Sequence, residues 1–484
     1  MPKEPIIAHD QSEKVPVDQI NLLKNYLHQG SVKAAIEQIN TLMEQFPRDI
    51  RLFNLLAISY EKLGHYQEAI AFCKKGISIF PSSANTYYLM ASSLVKLNLK
   101  QEAIENYYKT IFYNKTHFFA YHSLGNILLS SGEAKKAVHN YIKAIEFKPD
   151  FAEAYSNLGN ALASLGKYRM SASSYVKALE LKPDYKEARN NLIHFLSFYT
   201  PKTQSLNSNI VASQLLQSIN FNTDSEKKIS DNDVATFYKS CDKIIRAQKI
   251  NIEWNTSQTY RRTKRDLNCS RHHEVFNTFN IIPEYCFGCY KVQVQPRNVL
   301  ELFKLFFIFD KLKLKNDLTK KCMVEIRPNV EGSYKGVVYC NGLEEANRTL
   351  DVLIPILNKK INKAIPSIIK RGCEEFVFSY PEYKEINKNS PQFMKYNKQW
   401  RNKEKIVDEN IRKKNYSEPR IYKKTLSGIT LKDVLIMHNW LVYAKKIGDH
   451  SYKKITKESL ASPLIEKKLS GQLLKRIDEC SSVQ

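Results

Sequence analysis

No stretch of this sequence approaches the roughly 20 consecutive apolar residues that a membrane-spanning helix needs, so no membrane span is expected. The opening residues, MPKEPIIAHDQSEK, lack an apolar core preceded by basic residues, so no signal peptide is expected either. No glycine-rich phosphate loop, Ser/His/Asp signature or paired-carboxylate motif stands at a recognisable spacing, and no enzyme class is indicated by motif. Acidic residues are in deficit: 49 Asp and Glu face 74 Lys and Arg, for a net charge of +25. Nine cysteines in 484 residues, without an export signal, point to reduced thiols or metal ligands rather than a disulfide framework. These absences fit a cytoplasmic protein.

The length calls for two or three domains. A content of 43% hydrophobic and 11% aromatic residues fits globular protein rather than disorder. The charge is uneven. Through residue 200 there are 23 Lys and Arg against 18 Asp and Glu; the remainder carries 51 against 31. A basic C-terminal part suits nucleic acid, an acidic protein or a membrane surface, and a dispersed excess of solvated lysines gives the same count.

A 34-residue period runs from residue 16 to residue 185. Small residues recur at Ala35, Ala69, Ala103, Ala137 and Ser171, and a second small series at Ala57, Ala91, Gly125 and Gly159. Turn glycines recur at Gly30, Gly64, Gly132 and Gly166, with Asn98 in the third copy, where a positive φ is expected. Proline closes four copies, at Pro47, Pro81, Pro149 and Pro183; Lys115 takes that place in the third. Large residues fill the space between: Phe53, Tyr87, Tyr121 and Tyr155 on first helices, Tyr107, Tyr141 and Tyr175 on second helices. Such a period marks a solenoid of helix pairs, each hiding its apolar side against the next.

These residues resemble the tetratricopeptide repeat (TPR) family. Five copies are read, at 16–49, 50–83, 84–117, 118–151 and 152–185, with a solvating helix over 186–199 and a disordered lead over 1–15. The resemblance implies an all-α TPR solenoid with a groove that takes a protein or peptide partner. Asn126, Asn157 and Asn160, with Asn190 and Asn191 on the capping helix, resemble the asparagine ladders of repeats that grip an extended peptide. Amide side chains can hydrogen-bond a peptide backbone without demanding its sequence.

A linker with short helices is expected over 200–250, and the basic run Tyr260–Lys264 is read as an exposed loop. From Tyr290 the pattern changes. Strands are expected at 290–295, 321–327, 334–340 and 373–380, with helices at 298–312 and 342–361. The order β-α-β-β-α-β predicts an α+β ferredoxin-like split βαβ domain within 251–385. A helical extension is expected over 386–484. It includes Trp400 as an anchor and an amphipathic helix over 430–447, in which His438 is a core or surface residue.

Six cysteines fall between 269 and 373. Cys286-Phe-Gly-Cys289 is a C-x-x-C pair, and Cys269 and His272 upstream complete C-x2-H-x13-C-x2-C, a spacing suited to four-coordinate zinc. The expected topology also brings Cys322 and Cys340 toward Cys286 and Cys289 and sends Cys373 to the opposite end of the sheet. A structural metal is therefore expected, zinc before an iron–sulfur cluster; the competing reading is cysteines as small buried apolar residues. Lys335, Gly336 and Tyr339 resemble the third strand of an RNA recognition motif, although Val337 stands where a stacking aromatic is usual. The chain reads as an adaptor that docks a polypeptide through its solenoid. The alternative is an RNA-binding or metal-dependent effector whose target the solenoid selects.

Overall fold

Residues in the left-handed backbone region punctuate the N-terminal part into helices of 12–14 residues. The computed structural model describes residues 14–219, 227–263, 267, 269–328, 330–386, 393–414 and 424–481. Most of the expected lead over 1–15 lies outside them; its last residue, Val15, is buried and donates its amide to Asp49 Oδ2 at 3.1 Å. The chain divides into two compact units, Met1–Asp184 and Tyr185–Gln484.

The first unit is five helix pairs: α1 (Val17–His28) with α2 (Val32–Gln45), α3 (Ile50–Lys62) with α4 (Tyr66–Ile79), α5 (Ala84–Lys96) with α6 (Lys100–Tyr113), α7 (Phe118–Ser130) with α8 (Ala134–Phe147), and α9 (Ala152–Ser164) with α10 (Tyr168–Leu181). Gly30, Gly64, Gly132 and Gly166 have φ between 74° and 83°, and Asn98 stands at 60° in the third pair. Asparagine tolerates this region better than most residues, which explains the one substitution. The recurring small residues are the helix crossings: Ala35, Ala69, Ala103, Ala137 and Ser171 are fully buried. Two crossings are tighter still. A Cβ on Gly125 would stand 2.7 Å from the Tyr141 ring, and one on Gly159 2.7 Å from the Tyr175 ring.

The second unit opens with α11 (Lys186–Leu196), α12 (Ser208–Gln217) and α13 (Asp231–Ala247). The helix expected to solvate the solenoid thus belongs to the second unit, and Leu192, Ile193, Phe195 and Leu196 are buried. Next come β1 (Gln258–Arg261), α14 (Cys269–Phe279), α15 (Glu284–Phe287), β2 (Cys289–Val294), α16 (Val299–Lys311), β3 (Lys320–Val324), β4 (Tyr334–Asn341), α17 (Leu343–Lys360) and β5 (Ser367–Arg371). The sheet is antiparallel in the order β1-β3-β4-β2-β5. Both α16 and α17 pack on it. The core on that side holds Tyr290, Val292, Val294, Cys322, Val324, Val338 and Cys340 with Phe303, Phe306 and Leu353. After β5 follow α18 (Trp400–Lys414), α19 (Leu431–Lys446), α20 (Pro463–Leu469) and α21 (Leu473–Ser481).

Three expectations need correction. The last strand lies at Ser367–Arg371 rather than at 373–380, where Glu375–Phe378 forms a 3-10 turn. Phe376 drives this change: it is fully buried in a small cluster with Ile282, Cys286 and Tyr383, off the sheet. The run read as an exposed loop, of which Lys264 lies outside the described residues, opens with the last two residues of β1, and its Arg261 is drawn inward to Asp310 and Asp433. Finally, α19 is buried nearly all round, from Leu431 to Ala444. Its polar groups are matched there: Asn439 Nδ2 donates to Thr256 O, Trp440 Nε1 to Ser257 O and Tyr443 Oη to Glu325 O. His438 is buried as well, 3.1 Å from Ala461 O.

Overpacking a filled core costs roughly 1–3 kcal/mol. Gly125→Ala and Gly159→Ala are therefore expected to lower the stability of the first unit by about that amount each in urea denaturation. An unchanged midpoint would show that the tyrosine rings do not lie on these glycines.

Candidate functional site

The first-helix wall of the solenoid carries three of the expected asparagines, and their neighbours fix which way each amide points. Tyr141 Oη donates to Asn126 Oδ1 at 2.8 Å, and Tyr175 Oη to Asn160 Oδ1 at 2.6 Å. Each of these tyrosines reaches its asparagine because the ring lies on the glycine one residue before it, Gly125 or Gly159. Asn157 Nδ2 reaches both Asn126 Oδ1, at 2.9 Å, and His122 Nε2, at 3.0 Å. The oxygens of Asn126 and Asn160 are thus occupied and their NH2 groups remain to donate. The amide nitrogen of Asn157 is occupied and its oxygen remains to accept. Along the wall the order is donor, acceptor, donor.

Burial holds the His122 imidazole down at about 4, against a smaller upward pull from Glu153. The ring is therefore neutral at pH 7, and its Nε2 accepts from Asn157. An aromatic group adjoins it: Phe151 lies 4.8 Å from His122, ring centre to ring centre, and Phe119, exposed, 5.6 Å from Phe151. Asn190 and Asn191 lie on α11 in the second unit, where Asn190 Oδ1 accepts from Arg189 at 3.5 Å.

The cysteines of the second unit separate by sheet face. Cys340 stands opposite Tyr290 in the register, with its Sγ 3.6 Å from Thr349 Oγ1 on α17. Cys322 is buried in the same helix-facing core. Neither joins Cys286 and Cys289, as expected from the sequence, because the side chains at these positions point to the helices. Cys289 pairs with Asn341 and faces the other side. Cys373 is the reverse case. With β5 ending at Arg371, opposite Tyr290, the Gly372 amide donates to Cys289 O at 2.9 Å, and Cys373 comes to the Cys289 end of the sheet.

Cys373 contacts Cys269 and Cys286, and Cys269 contacts His272. Contact with Cys373 pushes the Cys269 thiol up, opposed by His272. His272 is buried and stacks on Tyr285 at 5.1 Å. Its neighbour His273 points elsewhere: among the described residues, ligand atoms of His273, Cys373 and Glu375 all lie within 4.8 Å of one another. Sequence reasoning missed all three. The readable signal was the four-residue spacing of Cys269 and His273, which places them on one side of α14.

The face of the sheet opposite α16 and α17 is a network of charges. Glu374 joins Lys291 and Lys370 at 2.8 and 2.9 Å, and Glu325 joins Arg327 and Lys335 at 2.9 and 3.0 Å. Burial alone would raise Glu325 and Glu374, but the hydrogen bonds and charges of these cations hold both at about 2. Lys335, expected to face RNA, is buried in its ion pair with Glu325. Tyr339 is half-buried, with Lys321 Nζ 5.9 Å from its ring centre.

Family models match parts of the first unit. The tetratricopeptide repeat family matches residues 50–83 and 152–185, and a TPR repeat description matches residues 125–166. The chain carries tetratricopeptide repeats in its first unit. Three solved structures are similar to parts of the chain. MamA has 28% identity over 33% of this chain and 94% of its own, with a TM-score of 0.31. YrrB, described as a TPR protein with an unusual peptide-binding site, has 19% identity over 38% and 93%, with a TM-score of 0.30. A thermophilic TPR protein of Thermus thermophilus has 20% identity over 37% and 98%, with a TM-score of 0.33. No curated protein matches the chain. No helix among the described residues is long and apolar enough to cross a membrane.

The His122 pair of pKa values sets a pH dependence. The unfolded chain takes up this proton near the ordinary value of about 6.5, whereas the folded chain takes it up only near 4. The unfolded state binds more protons in that window, so the first unit should lose stability as pH falls from about 6.5 to about 4 and keep it above. Urea midpoints across this range should slope less in His122→Gln than in the native chain; equal slopes would place His122 outside the network.

Proposed function

We propose that the protein is a cytoplasmic adaptor that docks an extended peptide on the first-helix wall of its repeats. The observation that carries this reading is the alternation of free donor and acceptor at Asn126, Asn157 and Asn160. An extended peptide presents its carbonyl and amide groups in alternation, so the wall suits main-chain recognition with little demand on sequence. Exposed Phe119, beside Phe151 and His122, supplies an apolar place for a side chain of the same peptide. TPR proteins in general bind protein or peptide partners, which supports the reading.

The second unit is read as a ferredoxin-like core with an added edge strand. Support comes from β3-β4-β2-β5, which runs second, third, first, fourth among the four strands of a split βαβ. Its thiol-rich end is read as a structural zinc centre, for which Cys269, Cys286, Cys289, Cys373 and the adjoining histidines are the available donors. Zinc content of the purified full chain tests this part, and less than about a tenth of an equivalent would end it.

Selection of the full chain against a degenerate library of unstructured peptides should return binders. Asn126→Ala and Asn160→Ala should each weaken the best of them by about fivefold to tenfold, the worth of one hydrogen bond of about 1 kcal/mol. Tyr141→Phe should weaken it as well, although Tyr141 is buried and the substitution alters no group on the wall. Binding that survives all three substitutions would place the peptide elsewhere.

A further inference from the structure

We propose that the ion of the second unit is held by His273, Cys373 and Glu375, with Cys269 as the fourth donor, and that the C-x-x-C pair Cys286/Cys289 is packing rather than ligand. This rests on the reading of that end as a metal centre and changes its chemistry from a thiolate set to a mixed one.

Three observations carry it. First, His273, Cys373 and Glu375 already bring a nitrogen, a sulfur and an oxygen within 4.8 Å of one another. Ligand bonds of about 2.0–2.3 Å around a tetrahedral ion close that group with small side-chain adjustments. Second, Cys269 contacts Cys373 and stands four residues before His273 on α14, so both project from one side of the helix. Third, the competing thiols are engaged in packing. Cys286 touches Cys373, but it is buried among Ile282, Phe376 and Tyr383 and stands outside the group of His273, Cys373 and Glu375. The Cys289 Sγ occupies the space a side chain at position 372 would take, 2.3 Å from a Cβ built on Gly372. His272, the histidine of the sequence motif, touches Cys269 with its ring stacked on Tyr285, outside the group of His273, Cys373 and Glu375.

The donor set selects the ion. Two sulfurs, one imidazole and one carboxylate suit zinc, whereas an iron–sulfur cluster needs four thiolates or two with two histidines. Glu375 also receives Arg327 at 3.3 Å through one oxygen, which leaves the other for the ion. The ion would tie the start of α14 to the segment that follows β5, two pieces separated by about 100 residues of sequence that also meet where Phe276 packs on Phe376.

The test uses the full chain, stripped with a chelator and reloaded with Zn2+ or Co2+ alone. One equivalent of cobalt should give the intense visible bands of a tetrahedral site with thiolate charge transfer, and Cys269→Ser should lower the charge-transfer intensity by about half. His273→Ala and Cys373→Ser should weaken zinc binding by more than about 100-fold, beyond the about 10–100-fold typical of outer-shell partners. Cys286→Ser and His272→Phe should hold zinc within a few-fold of the native chain, with circular dichroism confirming that each variant is folded. Zinc retained by His273→Ala but lost in Cys286→Ser or Cys289→Ser would overturn this ligand set while leaving the metal centre standing. No stoichiometric zinc in the native chain would overturn both.

Discussion

A tyrosine ring lying on bare backbone is the contact on which the solenoid wall depends. At Gly125 and Gly159 the helix has no side chain, so Tyr141 and Tyr175 cross over it and their hydroxyls come out beside Asn126 and Asn160. One contact therefore does two things. It fills the crossing of a helix pair, and it turns the neighbouring amide with its nitrogen outward. Asn157 and His122 extend the effect across the boundary between repeats. The earlier pairs lack this arrangement, since Ala57 and Ala91 stand where the later pairs have glycine. The donor–acceptor wall is concentrated in the last two repeats, whose residues 125–185 match the family.

The second unit turns several of its basic side chains inward, most of them onto carboxylates. Arg261 is buried between Asp310 and Asp433, and Arg371 and Arg476 are among the largest fully buried side chains. Lys291, Lys335 and Lys370 are matched to Glu325 and Glu374 on one face of the sheet. Removing one partner of such a pair strands the other charge, at a typical cost of about 3–5 kcal/mol. These pairs take carboxylates out of the count along with cations, so the net charge of +25 is carried by other residues.

Much of the first unit was legible in the sequence. Side-chain size recurs every 34 residues because each helix crossing leaves the same space, and a positive φ recurs because each turn closes the same way. Asn98 could even be read as a stand-in for glycine. The orientation of the amides was not legible, since Tyr141 and Tyr175 read only as large residues filling a gap. In the second unit, the run from β2 to α17 and the helix α19 were readable from apolar periodicity, whereas β1 and α14 were not. The last strand was misplaced because CEEFVFSY alternates as convincingly as SIIKR, and only the burial of Phe376 away from the sheet decides between them. That shift moved Cys373 from one end of the sheet to the other and hid its meeting with Cys269 and His273. Buried Arg261 was missed for a related reason: a basic run looks solvated until the two aspartates that receive it, 49 and 172 residues away, are known.

The central claim is that the tyrosine hydroxyls act on a bound peptide only through the asparagines they orient. A double-mutant cycle on peptide affinity measures this directly, with Tyr175→Phe and Asn160→Ala made singly and together in the full chain. The account predicts strong coupling: once Asn160 is alanine, removing the Tyr175 hydroxyl changes affinity no further. Losses that simply add would contradict it, because the tyrosine would then act by a route that does not pass through the amide.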